Sequence, residues 1–334
     1  MTGQTTIIPI AGGKGGVGKS FLAANLAVAL AQRGHRTLAV DLDLGNSNLH
    51  SLLGLQNSYP GIGEYLRGSI KCSPEDLIVE TGITNLGFIP GDARVPFMAN
   101  INYPQKLKLI RFLKSLSARY ILLDLSAGTS FNTLDLFQLG RYGIVVTTPE
   151  YPALMSALVF VKNLTLRAVD EALRSDKSLK EKLTEMHKQS VNDPVFTMRK
   201  FRSDIHSSHP EAAEKIDEIC ARIRPRFIYN MIESANDAEQ FANVDTTCSD
   251  VLSIECDHIG LVPYDLEVRH FLKEPGVFML QRSSSVTAKI IDRISRRIVN
   301  LWDSPMEGSA ALLTAYAREV FSDDSSSEVA SAAG

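Results

Sequence analysis

The sequence predicts an α/β fold with a doubly wound, mostly parallel sheet of about seven to eight strands. Apolar runs bounded by turn residues alternate with helical patterns along the chain, which is typical of βαβ units. Several of these runs are continuously apolar, as expected for parallel strands that are covered on both faces. A glycine-rich segment, residues 13–20, joins the first apolar run to the first helical pattern.

The order of the elements follows from these runs. The predicted strands cover residues 7–11, 37–42, 86–90, 120–125, 143–148, 226–230 and 257–262. Apolar residues at helical spacing predict helices near residues 19–33, 104–117, 130–139, 151–172, 178–190, 210–222, 235–248, 265–273 and 286–302. Ligands of such sheets bind beyond the carboxyl ends of the strands, so motifs at those ends are the candidates for a site.

The composition is that of a globular chain. The 334 residues allow one large α/β domain or two smaller ones, and the hydrophobic content of 44% is enough for a core. A net charge of −3 argues against a globally basic nucleic-acid-binding protein, although a local basic patch stays open. We expect neither a signal peptide nor a membrane-spanning run of about 18 apolar residues.

The cysteines do not form a recognisable metal or disulfide pattern. Cys72, Cys220, Cys248 and Cys256 are scattered, and no two of them make a CxxC pair. Reduced thiols in a cytosolic protein fit this spacing better than a disulfide framework or a cluster site.

A single domain is expected over residues 1–306, with a helical insertion at about 174–224. Within the insertion, residues 192–210 look like a loop, and the basic run 199–202 is read either as part of a solvated helical face or as a partner-docking arm. A C-terminal helix is expected at 307–321, with apolar residues at roughly helical spacing. Residues 322–334 are Ser, Ala and acidic residues with almost no bulky apolar group, so they are expected to be disordered.

The glycine-rich segment matches the P-loop pattern, in which a helix follows directly after the motif. Its glycines let backbone N–H groups surround a polyphosphate, and the helix directs its positive end at the same group. Lys19 is expected to neutralise the β and γ phosphates, and the Ser20 hydroxyl to ligate Mg²⁺. The expected nucleotide-contacting residues are Gly13, Lys14, Gly15, Gly16, Val17, Gly18, Lys19, Ser20 and Phe21.

Three acidic residues end two of the apolar strands. Asp41 and Asp43 lie two apart, so strand alternation places them on one side, facing the phosphate site. One of them can act on Mg²⁺ or its waters and the other can position the attacking water. Asp124 ends a long apolar strand in the Walker B arrangement and is expected to hold Mg²⁺. The competing interpretation is that these acids only cap turns.

These motifs together resemble the deviant Walker A ATPases of the MinD/ParA family, whose signature is an additional lysine early in the P-loop, here Lys14. The runs 41–54 and 124–135 are similar to the two switch motifs of the MinD and FlhG (FleN) subgroup. The resemblance covers residues 5–165 and 225–302. It implies a P-loop NTPase fold of the SIMIBI type, and the cofactors ATP and Mg²⁺.

The resemblance also implies roles for individual residues. An ATP-bridged homodimer is expected, in which Lys14 reaches the partner's phosphates, while Lys19 and Asp43 complete the catalytic set. The metal-site residues are then Ser20, Asp41, Asp43 and Asp124. Around adenine the family uses an Asn and a Pro-x-Asp turn, and the matching residues are Asn230, Pro263 and Asp265. A guanine-specific NKxD sequence is absent, which favours ATP over GTP.

The function implied is a slow, partner-stimulated ATPase switch that organises a cell pole, flagellum or division site through an unidentified regulatory protein. The location implied is the cytoplasm, with recruitment to the inner face of the membrane or the cell pole. The C-terminal helix is expected to make at most weak peripheral membrane contact, because it carries one basic residue, Arg318. One alternative is a ParA-like ATPase that positions DNA or a protein cargo, which the net charge disfavours. Another is an iron–sulfur or reductase relative, which the absence of cysteine from residues 126–137 disfavours.

Overall fold

The computed structural model describes residues 4–91, 101–173, 179–181, 183–184 and 197–331. Its strands are β1 Thr6–Ala11, β2 Thr37–Leu42, β3 Val79–Glu80, β4 Leu86–Ile89, β5 Tyr120–Leu125, β6 Ile144–Thr147, β7 Arg226–Ile232 and β8 Asp257–Pro263. Its helices include α1 Lys19–Gln32, α2 Leu49–Leu52, α3 Ile62–Arg67, α4 Tyr103–Ser115, α5 Phe131–Phe137, α6 Tyr151–Ala172, α7 Met198–His206, α8 Pro210–Arg222, α9 Glu239–Thr246, α10 Leu266–Phe271, α11 Phe278–Gln281, α12 Val286–Leu301 and α13 Ser309–Ser331. These elements confirm the predicted α/β class.

The described residues group into two compact units, where the sequence predicts one domain over 1–306. The first unit spans Met1–Val146 and Asp265–Asp303, and the second spans Thr147–Tyr264 and Ser304–Gly334. The chain therefore leaves the first unit after β6 and returns to it before α10. Each unit is described separately below.

In the first unit the strands are ordered β3-β4-β2-β5-β1-β6. All neighbours in this order pair in parallel, apart from β3, which pairs antiparallel with β4. β2 and β5 are buried at every position, which explains why both read as continuous apolar runs in the sequence. The crossover from β1 to β2 runs toward the β3 end of this order, whereas the crossover from β5 to β6 runs past β1 in the opposite direction. The crevice at such a switch point is where ligands bind.

Helix α1, which follows the P-loop, is the central helix of this unit. All but two of its residues are buried, because α12 covers it on the side away from the strands and α2 and α11 lie beside it. Phe21 of α1 meets Phe278 of α11 edge to face, with ring centroids 5.4 Å apart. A helix that is apolar on all sides is stable only in such surroundings, so packing rather than amphipathicity fixes α1.

Side-chain caps define where the neighbouring helices begin. Asn102 Oδ1 accepts a hydrogen bond from Gln105 N at 3.0 Å, and Gln105 Oε1 accepts one from Asn102 N at 3.0 Å. Ser130 caps α5 in the same way, accepting from Thr133 N at 3.2 Å. Caps of this kind supply partners for helix N–H groups that have none within the helix. They fix the starting points of the two helices that flank the end of β5.

In the second unit β7 and β8 form a parallel pair with a bulge near Asn230. Helix α13 packs against β8 and α9 through Ala310, Leu313 and Ala317, all of which are buried. Helix α6 is long and apolar enough to span a membrane by length and composition, but 61% of its most apolar window is buried inside the protein. Burial of that extent is typical of a core helix, so this feature is weak evidence for a membrane span.

The insertion is more ordered than the sequence predicts. Residues 192–210 were expected to be a loop, but 198–206 form α7, and that prediction is wrong for them. Thr197 caps this helix at Lys200 N, and the apolar residues Met198, Phe201 and Ile205 bury one face. The predicted helix near 178–190 and the start of the expected loop lie mostly outside the described residues.

The chain end also differs from expectation. Helix α13 continues to residue 331, through ten residues for which the sequence predicts disorder. Once the first turns of a helix are held by packing, adding a further residue to it costs little. Residues 332–334 of the expected disordered tail lie outside the described residues.

Candidate functional site

The P-loop runs from the end of β1 to the start of α1. Two of its glycines, Gly16 and Gly18, have φ values of +84° and +90°. This left-handed region is strained for residues that carry a side chain, so both positions favour glycine. Gly18 is also the N-cap of α1, where no side chain caps the helix. The free N–H groups at this helix start are those that the sequence predicts will face a phosphate.

A further glycine, Gly12, is required by packing, and the sequence analysis did not identify it. A Cβ at Gly12 would lie 2.9 Å from the Val146 carbonyl oxygen and 3.0 Å from Val17 Cγ2. The Gly12 carbonyl oxygen also accepts a hydrogen bond from Gly128 N at 3.1 Å. Gly12 thus brings the ends of β1, β5 and β6 close together beneath the P-loop. The doubled glycine before Lys14 was the only sequence signal for this.

The two P-loop lysines have opposite environments. Lys19 is 8% exposed. Burial lowers the pKa of its ammonium group, while the charges of Asp124 and Asp43 act in the other direction. Lys14 is exposed, and among the described residues no hydrogen bond or ion pair to its ammonium group is found. Lys19 therefore belongs to the interior of the site, whereas Lys14 extends away from the protein.

Asp124 provides the test of whether the site fits Mg²⁺. Its side chain is 1% exposed, and within the described chain Oδ1 has no hydrogen-bond partner. Burial raises the pKa of Asp124 to about 8, and the Asp41 charge adds to this, while a hydrogen bond from Ser20 and the Lys19 charge lower it. A buried carboxylate oxygen without a donor, next to a hydroxyl and other carboxylates, matches the hard oxygen ligands that Mg²⁺ takes. Ser20 and Asp124 are thus the residues that would hold the ion.

The Asp41 carboxylate accepts hydrogen bonds from residues of the loop that follows β2. Its Oδ2 accepts hydrogen bonds from Ser47 Oγ at 2.6 Å and from Leu49 N at 3.1 Å, and its Oδ1 accepts from Asp43 N at 3.1 Å. Burial raises the pKa of Asp41 to about 6 despite these three hydrogen bonds. Gly91 packs against the same place, since a Cβ there would lie 2.8 Å from the Asp41 carbonyl oxygen. The carboxylate therefore shapes the loop after β2, and its contact with Mg²⁺ stays a prediction.

The Asp43 side chain is oriented by a residue at the carboxyl end of the neighbouring strand, β5. Ser126, which follows β5, donates its hydroxyl to Asp43 Oδ1 at 3.0 Å. Because β2 and β5 are paired with Asp41 opposite Asp124, their carboxyl ends bring all three predicted aspartates to one place. This arrangement explains why the charges of neighbouring aspartates add to the raised pKa values of Asp41 and Asp124. A carboxylate oriented in this way can accept a proton or a hydrogen bond from a water molecule.

The three predicted adenine contacts are divided between the units. Asn230 is 5% exposed and lies at the bulge of β7, and Pro263 ends β8, both in the second unit. Asp265, in the first unit, caps α10 by accepting from Glu267 N at 2.8 Å and also accepts from Thr287 Oγ1 at 2.6 Å. The Asp265 contacts are ordinary turn and cap chemistry. An adenine role for these residues stays a prediction.

Comparison with known proteins agrees with this geometry. The chain is 35% identical over 156 residues to the septum site-determining protein MinD of Thermotoga maritima, and 32% identical over 164 residues to the flagellum site-determining protein YlxH of Helicobacter pylori. These matches cover 45% and 48% of this chain and 55% and 54% of the relatives, so the chain spans about half the length of the curated relatives it matches.

The solved structure of MinD from Pyrococcus horikoshii, complexed with Mg-ADP, is similar in fold, with a TM-score of 0.54 and 22% identity. The likeness covers 90% of this chain and 98% of that one. The model of the CobQ/CobB/MinD/ParA nucleotide binding domain matches residues 8–275, which is most of the chain. Together with the P-loop and the three aspartates at the strand ends, this match shows that the chain belongs to the CobQ/CobB/MinD/ParA nucleotide-binding family.

Proposed function

We propose that this protein is an Mg²⁺-dependent ATPase switch of the MinD and FlhG kind, which dimerises with ATP and hydrolyses it slowly under the control of a partner protein. Its output would be the spatial organisation of a cell pole, flagellum or division site. Membership of the family and the names of the relatives, MinD and YlxH, support this output. We place the protein in the cytoplasm, with recruitment to the membrane or the pole.

The observation that carries the proposal is the unpartnered, buried oxygen of Asp124 beside the P-loop. Ser20, Lys19 and the carboxylates of Asp41 and Asp43 all act on the pKa of Asp124. Leaving a buried carboxylate without a partner is costly, and a protein retains such a group where a cation binds. A glycine-rich turn that only joined a strand to a helix would not need this buried carboxylate beside it.

The chain's own residues supply the remaining parts of the reaction. Lys19 and the N–H groups at the start of α1 would bind and orient the phosphates. When bound, Mg²⁺ would neutralise charge that develops on the phosphate oxygens. Asp43, oriented by Ser126, would position the attacking water in line with the γ-phosphate and accept its hydrogen bond.

The exposed Lys14 favours an ATP-bridged dimer. A cation that no described residue of its own chain engages is available to neutralise phosphates bound by a second copy, as an arginine finger does. The test is sedimentation velocity with ADP and with ATP for wild type, Lys14→Ala and Asp43→Ala. We expect an ATP-dependent dimer for wild type, a monomer for Lys14→Ala with nucleotide binding retained, and a persistent ATP dimer for Asp43→Ala.

Lys71→Ala serves as the matched control, because Lys71 is another exposed lysine of the first unit. It should dimerise as wild type does. A wild type that stays monomeric with ATP, or a Lys14→Ala variant that dimerises normally, would contradict the dimer. Measured ATP turnover that does not require Mg²⁺ would contradict the proposed reaction itself.

A second candidate function, the positioning of DNA, is favoured by one feature of α12. This helix exposes Lys289, Arg293 and Arg296 at helical spacing on one side, although the chain as a whole is acidic. A basic face of this kind can attract phosphate backbones. An ATP-dependent shift of nonspecific DNA that weakens steeply with salt, and is lost in Arg293→Glu, would support it. No shift at low salt would exclude it.

Membrane contact through α13 has limited support. Leu313 and Ala317 are buried in the second unit, whereas Leu312 is 65% exposed. The exposed apolar surface of α13 that could contact a bilayer is therefore narrow. Arg318 is the basic residue beside that surface. Recruitment through a partner protein accounts for localisation better than direct insertion.

A further inference from the structure

Three side chains of different chemistry converge in the second unit, away from any motif that the sequence analysis used. They are Asp245 on α9, Cys256 immediately before β8, and His258 on β8. His258 Nε2 lies 2.7 Å from Asp245 Oδ1, Cys256 Sγ lies 3.1 Å from the same oxygen, and the sulfur and the imidazole nitrogen are 3.8 Å apart. All three ligand atoms thus lie within 4.8 Å of one another.

The chain geometry explains why they meet. Cys256 and His258 are two residues apart along extended chain, so their side chains leave on the same side. Asp245 lies on the helix packed over that side, near its carboxyl end. His258 and Cys256 are 1% and 6% exposed, while Asp245 is about half exposed and faces solvent on its other side. The cluster is therefore a buried pair of soft donors closed by a carboxylate at the surface.

His258 is held in the orientation that a metal ligand needs. Its other ring nitrogen, Nδ1, is 2.9 Å from the Tyr229 hydroxyl, and the two rings are parallel with centroids 5.6 Å apart. Phe227 and Phe241 stack around the same imidazole. Metal-ligating histidines regularly bond their second nitrogen to a fixed partner, which sets the tautomer and leaves Nε2 free for the ion. Tyr229 fills that role here.

A second thiol lies beside the cluster. Cys248, which is fully buried, hydrogen-bonds with the Cys256 thiol, and this contact together with burial raises the pKa of Cys256. Cys248 belongs to the π-helical turn Thr247–Val251, which continues α9. Single π-helical turns are rare and frequent at functional sites. Asp245 and Cys248 are three apart, so they share one face of this helical segment.

The distances are close to those of a zinc site. Zn–N, Zn–S and Zn–O bonds of about 2.0–2.3 Å in a tetrahedron place ligand atoms about 3.3–3.8 Å apart. The observed separations of 2.7, 3.1 and 3.8 Å require Asp245, the exposed member, to move outward by less than about 1 Å. A His–Asp ion pair alone would not require a cysteine thiol that donates a hydrogen bond to the same carboxylate oxygen and lies 3.8 Å from the imidazole nitrogen.

We propose that Asp245, Cys256 and His258 form a mononuclear Zn²⁺ site, with Cys248 available as a fourth donor. Binding displaces the thiol proton of Cys256, and any second proton on His258, to solvent, because the ion takes a thiolate and a neutral imidazole. A cavity of about 420 Å³ beside Asp245, lined also by Ala242, Thr314 and Arg318, provides a path for the ion.

Such an ion would link several segments of the second unit. The His258 N–H donates a hydrogen bond to the Oγ of Ser309, the first residue of α13, at 2.9 Å. The site therefore connects α9, the π-helical turn and β8 directly, and α13 through this hydrogen bond. Zinc would stabilise α9 and β8, against which the final helix α13 packs.

The test uses the full chain, stripped with a chelator under reducing conditions and dialysed against ZnCl₂ in excess MgCl₂. We expect one zinc per chain by elemental analysis. Substitution with Co²⁺ should give visible bands of a tetrahedral site and a thiolate-to-cobalt charge-transfer band. Cys256→Ser and Asp245→Asn should lose stoichiometric zinc, and Asp245→Asn should fold normally because Asp245 is partly exposed.

Cys220→Ser is the matched control, since Cys220 is another buried thiol of the second unit. It should bind zinc as wild type does. Equal zinc uptake by wild type and Cys256→Ser, or absence of the charge-transfer band, would each overturn the proposal.

Discussion

Replacing Asp124 with Asn should stabilise the protein in the absence of metal and nucleotide. Burial, with the charge of Asp41, raises the pKa of Asp124 to about 8, against 3.8 for an ordinary aspartate. At pH 7 the unfolded chain has lost this proton while the native protein still holds it. The difference corresponds to a cost of about 4 kcal/mol at most. Asn has no proton to gain or lose, so it removes this cost, and we expect a net gain of about 1–4 kcal/mol.

The sign of the pH dependence follows from the raised pKa. Below about pH 4 both states hold the proton, so Asp124 costs nothing there. Between about pH 4 and pH 8 the unfolded state binds fewer protons than the native state, so the stability of wild type falls as pH rises. The advantage of Asp124→Asn should therefore grow from pH 5 to pH 8 and then level off.

The assay is urea unfolding in EDTA at pH 5, 7 and 8. Asp303→Asn is the control, because Asp303 is an exposed aspartate of the same unit and its replacement should change the free energy of unfolding by less than about 0.5 kcal/mol. An Asp124→Asn variant that is no more stable than wild type, or whose advantage shrinks as pH rises, would refute the reasoning.

The same substitution should weaken Mg²⁺-dependent nucleotide binding. In wild type at pH 7 the cation should favour the ionised carboxylate, so up to one proton should leave on binding. Calorimetry in two buffers of different ionisation enthalpy measures that proton. Asp124→Asn should bind the magnesium nucleotide more weakly and release none, and unchanged proton release in this variant would assign the proton to another group.

Two further predictions concern packing and the orientation of the catalytic carboxylate. Gly12→Ala should destabilise the nucleotide-free protein by about 1–3 kcal/mol, because its Cβ has no room, whereas Gly15→Ala, with no atom within 4 Å of its Cβ, should be neutral or slightly stabilising in urea unfolding. Equal stability of the two variants would contradict the close approach. Ser126→Ala should lower the kcat of ATP hydrolysis by about 10-fold or more with nucleotide affinity unchanged, and Ser126→Thr should restore it. A parallel loss of affinity would instead indicate a structural role for the hydroxyl that holds Asp43.

The sequence predicted the strand-and-helix alternation and the P-loop because both depend on residues that are close together along the chain. A glycine that needs a positive φ and a continuously apolar strand leave signals within a few residues. It misjudged residues 198–206, because one short helix with three apolar residues differs little from a loop in composition. Which elements group into each of the two compact units could not be read from the sequence, since that depends on which elements pack together.

The sequence by itself determined the phosphate-binding loop and the aspartates at the strand ends, since each follows its strand directly. Only the tertiary structure decided which carboxylate lacks a hydrogen-bond partner among the described residues and which one is hydrogen-bonded by its own loop. These partners depend on how the loop after β2 folds, which brings Ser47 to Asp41, and on residues from another strand end, such as Ser126. The same is true of Cys256 and His258, which look scattered in the sequence and meet Asp245 only when α9 packs beside β8. Spacing along the chain encodes local geometry, whereas a site assembled from separate elements exists only once they pack.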